Sequence, residues 1–314
     1  MCDVRTPQVM ARFSRPTAET PTRIALIADP HIPRKSVETL KLTMPTTFLE
    51  RAVVDINARS VDATLFLGDL TMDGREAEYE RFDEVVADLE GPWLCIPGNH
   101  DLEKGFDDHE SPNLSEFASR YASEGIPFVV RHGDVDVVGL DSVSADEMYN
   151  SHSGMVDTDQ LSWLDDRLSE AENPVVAFHH ILPPIVEQFD EYRDRAAPDL
   201  SRPSLMKDPS PLIETLAAHN VPLVLSGHLH IPSLGEVDGI HEVNGPSTGT
   251  FPPAYLLLDV GPDGAVVRYV TLGDVAEVQT AFIERSEYRP KARALASMAA
   301  ARTASFPLVD DPAN

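Results

Sequence analysis

The chain is 314 residues long and 42% hydrophobic, enough for a sizeable α/β core with room for an appended piece. Its 52 acidic residues outnumber 25 basic ones, and a net charge of -27 repels a phosphate backbone, which argues against nucleic acid held on a basic face. Lys35, Lys41, Lys104, Lys207 and Lys291 are the only lysines, and acid excess with scarce lysine predicts a halophilic protein whose charged surface stays soluble in salt.

Residues 1–22 contain no continuous apolar stretch and no twin arginine, so no export signal is expected. The longest run without Asp, Glu, Lys or Arg is 215–235, which holds three His, two Pro and an Asn and does not read as a membrane span. Cys2 and Cys95 make no disulfide framework. Cys95 lies within Trp93-Leu94-Cys95-Ile96 and reads as a buried thiol, which suits a reducing, cytoplasmic setting.

Short apolar runs alternate with helical patterns, as βαβ units do. A strand is expected over 23–28, an apolar-periodic helix over 48–58, a strand over 61–67, a helix over 76–89 and a strand over 92–96. A helix over 114–122 precedes a hairpin of 128–131 and 135–140, joined by His132-Gly133-Asp134. Next come a helix over 159–171, strands over 174–178 and 221–225, and a helix over 211–219 between them. Residues 239–243, 255–260 and 265–272 read as antiparallel strands, with Gly261-Pro262-Asp263-Gly264 as a turn. The expected organisation is an extension over 1–22, a domain over 23–283, and a tail over 284–314 with an Ala-rich helix over 290–304. Residues 181–210, long, polar and Pro-rich, are expected to run over the surface as a lid or cap.

Five polar clusters each follow a predicted strand: Asp29-Pro30-His31, Gly68-Asp69, Gly98-Asn99-His100-Asp101, His179-His180 and Gly227-His228-Leu229-His230. The carboxyl ends of strands form the ligand-binding edge of an α/β sheet, so the fold is expected to gather all five on one rim. Singly such signals are weak, because Gly-Asp recurs at Gly133-Asp134 and Gly273-Asp274 and Asp-x-His at Asp107-Asp108-His109. Their order and completeness are what point to a site.

In that order the clusters resemble the motifs of the calcineurin-like metallophosphoesterases, across most of the chain. Gly68-Asp69-Leu70-Thr71-Met72-Asp73-Gly74-Arg75 and Gln160-Leu161-Ser162-Trp163-Leu164-Asp165 are most similar to the class III cyclic-nucleotide phosphodiesterase branch. The resemblance implies a four-layer α/β/β/α sandwich, with two mixed sheets face to face and a metal site at the carboxyl ends of the strands. It also implies two transition-metal ions, one held by Asp29, His31, Asp69 and His230, the other by Asp69, Asn99, His179 and His228. Imidazole, carboxylate and amide oxygen suit Mn, Fe, Zn or Ni better than Ca. A bridging hydroxide would attack a phosphoester in line, His100 would stabilise charge or protonate the leaving group, and Asp101 would orient His100.

Met72 stands where purple acid phosphatases carry Tyr, and Asp101 where protein Ser/Thr phosphatases carry Glu, so both branches are disfavoured. His180 is expected beside the site. Asp141-Ser142 is read as structural, and His109, His132, His152, His219 and His241 as surface or packing residues. The nearest cations, Arg193, Arg195, Arg202 and Lys207, are outnumbered by the acids of 181–210, so no clamp for a dianion is expected and a small phosphodiester such as a cyclic nucleotide is favoured. A phosphomonoesterase, a nuclease of the same family and a non-catalytic metal-binding scaffold are the alternatives. A scaffold would be expected to lose ligands or His100, and this sequence keeps them.

Overall fold

The computed structural model describes residues 5–34, 44–196 and 200–311, so Cys2, Lys35 and Lys41 lie outside the described residues. The chain runs β1 (Gln8–Phe13), β2 (Thr22–Ile27), α1 (Pro45–Asn57), β3 (Ala63–Phe66), α2 (Glu76–Val86), β4 (Trp93–Cys95) and α3 (Leu114–Tyr121). The hairpin β5 (Phe128–His132) and β6 (Val135–Gly139) leads to α4 (Thr158–Leu168), β7 (Pro174–Ala177), α5 (Pro183–Ala196), α6 (Ser210–Ala218) and β8 (Leu223–Ser226). Then come β9 (Ser233–Val237), β10 (Ile240–Asn244), β11 (Ala254–Gly261), β12 (Gly264–Thr271), α7 (Val275–Tyr288), α8 (Pro290–Ala304) and β13 (Val309–Asp310).

Two mixed sheets result, one ordered β13-β1-β12-β11-β2-β3-β4 and the other β5-β6-β7-β8-β10-β9. Strands β2, β3 and β4 are parallel, as are β6, β7, β8 and β10. Side chains of one strand alternate between two cores. Ile24 and Leu26 of β2 meet Val175, Ala177 and Leu225 between the sheets, while Ala25 and Ile27 pack with Phe48, Leu49 and Phe82 beneath α1 and α2. Val176 and Phe178 face α4 and α6 with Leu164, Leu212 and Leu216. Helices on the outer face of each sheet complete the α/β/β/α order. Strands covered on both faces read as uninterrupted apolar runs, which is why β2 and β7 are legible without alternation.

Two expectations about the periphery are corrected, while the Ala-rich helix expected over 290–304 is present as α8. Residues 8–13 are not part of an extension but form β1, which pairs with β12 and with β13 inside the larger sheet. The tail closes the same sheet through β13, and α7 and α8 pack on each other. Within 181–210, residues 183–196 are no polar excursion, because α5 buries Ile185, Val186 and Phe189 against Ala281 of α7 and Ala296, Met298 and Ala299 of α8. Burial of a side chain such as Phe189 is worth about 1.5–3 kcal/mol, enough to hold the helix in place despite its charged outer face.

Candidate metal centre

The structure carries all five strand-end clusters to one place. Asp29 and His31 follow β2, Asp69 follows β3, Asn99 to Asp101 follow β4, His179 and His180 follow β7, and His228 and His230 follow β8. The first three strands belong to one sheet and the last two to the other, so the centre straddles the joint between them. Asp29, His31, Asp69, His228 and His230 have φ of 48°, 46°, 51°, 71° and 60°. Left-handed backbone at non-glycine residues costs about 1–2 kcal/mol each and clusters at functional sites. Cross-loop bonds hold these turns: Asp29 N–H donates to Gly68 O at 3.1 Å, His31 N–H to Asp69 O at 2.9 Å, and Gly227 N–H to His179 O at 3.1 Å. Two glycines permit the approach. A Cβ on Gly98 would overlap the main chain and carboxylate of Asp69, and one on Gly227 would lie 2.8 Å from Leu67 O.

Asp29, His31, Asp69 and His230, all buried, place ligand atoms within 4.8 Å of one another, and so do Asp69, His179 and His228. Asp69 is common to both groups. Its Oδ2 lies 3.4 Å from His31 Nε2 and its Oδ1 3.3 Å from His179 Nε2, and the Nε2 atoms of His31 and His230 approach to 2.9 Å. Two observations fit a cation here. His179 Nδ1 donates to Leu67 O at 2.8 Å, while its Nε2 is buried without a hydrogen-bond partner. His228 has Asn99 Oδ1 at 2.8 Å from Nδ1 and Ser204 O at 2.8 Å from Nε2. Burial, then the neighbouring His179, lowers the pKa of His228 to about 3, so its ring is neutral. A neutral ring has one N–H for those two oxygens, and a cation held by His228 together with Asn99 would remove the mismatch.

His100 sits in the same cleft with Nδ1 donating to the Met72 carbonyl at 2.7 Å, and its own N–H donates to Asp69 Oδ1 at 2.9 Å. Asp101 does not play the part expected of it. The Met72 carbonyl orients the His100 ring, while the buried Asp101 carboxylate accepts the N–H groups of Leu70, Thr71 and Gly98 at 3.1, 3.0 and 2.9 Å and the Thr71 hydroxyl at 2.9 Å. It is a positioning residue that ties the loop after β3 to the loop after β4. Burial and the Asp69 charge push its pKa up to about 7.

Sequence reasoning missed His152, which accepts from Asn99 Nδ2 across 3.1 Å and stacks on His100 with ring centroids 5.3 Å apart. No strand-end pattern marks it, because it reaches the cleft from the loop before α4. His180 is buried beside the site, bonded to Ser142 Oγ at 3.0 Å and His152 O at 3.0 Å. Ser142 therefore supports the site through His180. The expected cations are elsewhere: Arg193 and Arg202 pair with Asp190 and Arg195 pairs with Glu191. Arg285, Arg289 and Lys291 from the tail line the cleft instead. The absence of nearby cations therefore gives no ground for a diester preference.

The family model of calcineurin-like phosphoesterases matches residues 22–232. The chain belongs to this family. A probable cyclic nucleotide phosphodiesterase of Synechococcus is 32% identical over 212 residues, which cover 66% of this chain and 72% of that protein. The 3′,5′-cyclic adenosine monophosphate phosphodiesterase CpdA of Haemophilus influenzae is 27% identical over 74% of this chain and 78% of its own length. Among solved structures, a purple acid phosphatase from yellow lupin superposes with a TM-score of 0.56 at 13% identity, covering 83% of this chain and 53% of that one. At that identity the likeness speaks for the fold alone. The chain is a metal-dependent phosphoesterase by family, with a buried Asp/His cluster that could hold metal.

Protons compete for this phosphoesterase centre. Burial pulls the His179 pKa down, but the Asp69 carboxylate outweighs it and raises the value to about 9. A ligating imidazole must be neutral, so a cation at His179 displaces that proton. Below the raised pKa the proton competes, and apparent metal affinity is expected to fall about tenfold per pH unit for each proton displaced. Above it this dependence is lost. Titrating stripped protein with Mn between about pH 6 and pH 10 checks the slope, and a flat profile would remove the competition.

Proposed function

We propose that the chain hydrolyses a phosphodiester, such as a cyclic nucleotide, with two transition-metal ions of the Mn, Fe, Zn or Ni class sharing Asp69. The observation that carries this reading is the pair of ligand groups with one common buried carboxylate, beside His100 in the same cleft. Bound there, the cations would neutralise phosphate charge and lower the pKa of a water held between them. Asp29, His31 and His230 would hold one ion and Asn99, His179 and His228 the other. His152 and Ser204 fix the orientation of Asn99 and His228 through the bonds described above. With Nδ1 held by Met72, His100 has Nε2 to give a proton to the leaving oxygen or to hold charge on the phosphoryl group. The choice of a diester rests on the relatives named as phosphodiesterases.

The test is kcat/KM for bis(p-nitrophenyl) phosphate, p-nitrophenyl phosphate and 3′,5′-cyclic adenosine monophosphate with Mn-loaded protein, alongside metal content. A monoester preference would overturn the diesterase reading and leave the phosphoesterase intact. One bound metal ion per chain in fully active protein would overturn the shared-carboxylate mechanism. We also propose salt adaptation, from the net charge of -27. Melting temperature is expected to climb with KCl from about 0.1 M, where the Debye length is near 10 Å, to well above 1 M. A flat profile would remove that proposal.

A further inference from the structure

The cleft has a wall that the family match does not include. Tyr288 ends α7, Arg289 links the helices and Lys291 lies in the first turn of α8, and all three line the cleft with Asp69, Asn99 and His100. Residues 288–291 fall outside the matched span of 22–232. The cations there contradict ordinary helix design. Positive side chains at a helix N-terminus oppose the macrodipole, yet the first turn of α8 contains no acid and no side chain caps it. Arg289 makes no ion pair among the described residues, and Lys291 donates only to the Arg202 carbonyl, at 3.3 Å. Repulsion from Arg289, after burial, lowers the Lys291 pKa. Arg193, Arg195 and Arg202 nearby pair with carboxylates, whereas Arg285 and Arg293 of the same two helices donate to carbonyl oxygens. Two neighbouring cations at a helix N-terminus, with no acid in its first turn and lining the cleft of the candidate metal centre, break a local rule of stability, which is the mark of a site built for a ligand.

We propose that Arg289 and Lys291 form a specificity subsite for a second phosphate, carried by the part of the substrate that is not cleaved. The inference rests on the phosphodiesterase reading and narrows it: the preferred substrate is a nucleotide diester bearing an additional phosphomonoester, recognised by charge-assisted bonds from the guanidinium and ammonium groups. Tyr288 borders the same wall, with Arg289 over its ring at 5.1 Å.

The test compares thymidine 3′-phosphate 5′-(p-nitrophenyl phosphate) with thymidine 5′-(p-nitrophenyl phosphate), which lacks the second phosphate, using Mn-loaded full-length protein. Wild type is expected to favour the former in kcat/KM by about tenfold or more, and Arg289→Ala/Lys291→Ala to erase that ratio. Arg289→Lys/Lys291→Arg should restore most of it. An unchanged ratio in the alanine variant, or no preference in wild type, overturns the subsite. A second measurement separates this from failure of the enzymatic reading. Calorimetry on metal-free protein compares adenosine 3′,5′-bisphosphate with adenosine 5′-monophosphate, and wild type should bind the bisphosphate about tenfold more tightly, a difference the alanine variant loses. Inactivity on both esters with that binding difference intact would sink the phosphodiesterase reading and keep the anion subsite. Equal binding of the two nucleotides by wild type sinks the subsite, whatever the enzyme cleaves.

Discussion

Replacing Asp69 with Ala is expected to empty both metal positions and lower kcat/KM by at least about 10⁴-fold, which corresponds to roughly 5.5 kcal/mol of transition-state stabilisation. The reason is geometric. Asp69 is the one residue common to the two ligand groups, so its loss is not confined to one ion. Burial opposes its charge, but His179, His100 and His31 together hold its pKa well below the usual carboxylate range. Its Oδ1 also accepts the His100 N–H at 2.9 Å. Asp69→Asn keeps the size and an acceptor for that bond while removing the charge, so it should lose metal with the fold intact. Elemental analysis and kcat/KM on both variants check this. Retention of one ion per chain by Asp69→Asn would show that the carboxylate is not shared.

His100→Ala is expected to lower kcat by about 10²–10⁴-fold with metal content preserved. The His100 main-chain N–H donates to Asp69, and its ring is held at Nδ1 by the Met72 carbonyl and packs edge-on against His31. Removing the imidazole therefore takes away a proton donor and leaves the ligand set in place. Asp101→Ala should fail in the opposite way. It leaves the buried N–H groups of Leu70, Thr71 and Gly98 without their acceptor and loosens the loops that carry Asp69 and Asn99, so metal is released before chemistry is affected. Metal loss in His100→Ala, or full metal retention with a His100-like kcat defect in Asp101→Ala, would reverse these roles.

The contrast between those two residues shows where reading a sequence works. Adjacent letters, Asn99-His100-Asp101, point to one cluster, but whether Asp101 faces the His100 ring or the neighbouring main chain depends on how the loop after β4 turns. His152 carried no signal, since a histidine in a loop gains its partner only when that loop folds over the cleft. The tail was harder still. Ala292, Ala294, Ala296, Met298 and Ala299 are all buried in α8, a spread that leaves no single apolar stripe to say which side faces the protein. In α5 the apolar Ile185, Val186 and Phe189 are spaced for one face, yet the surrounding prolines and charges mask them in a polar composition.

The sandwich class followed only from the family resemblance; what the sequence determined by itself was the place of most strands and helices between residues 22 and 272, β9 and α5 excepted, and the rim on which Asp29, His31, Asp69, Asn99, His179, His228 and His230 meet. Those features are local: an apolar run sets each strand, and a polar or glycine-led turn at its carboxyl end sets the direction of the side chains that follow. Only the tertiary structure decided that residues 8–13 enter the larger sheet, that α5 lies under α7 and α8, and that Arg289 and Lys291 reach the cleft from the far end of the chain. Those placements depend on which surfaces remain to be covered once the two sheets have packed. That residues nearly 200 positions apart, such as Asn99 and Lys291, line one cleft is written in that packing and in no local pattern.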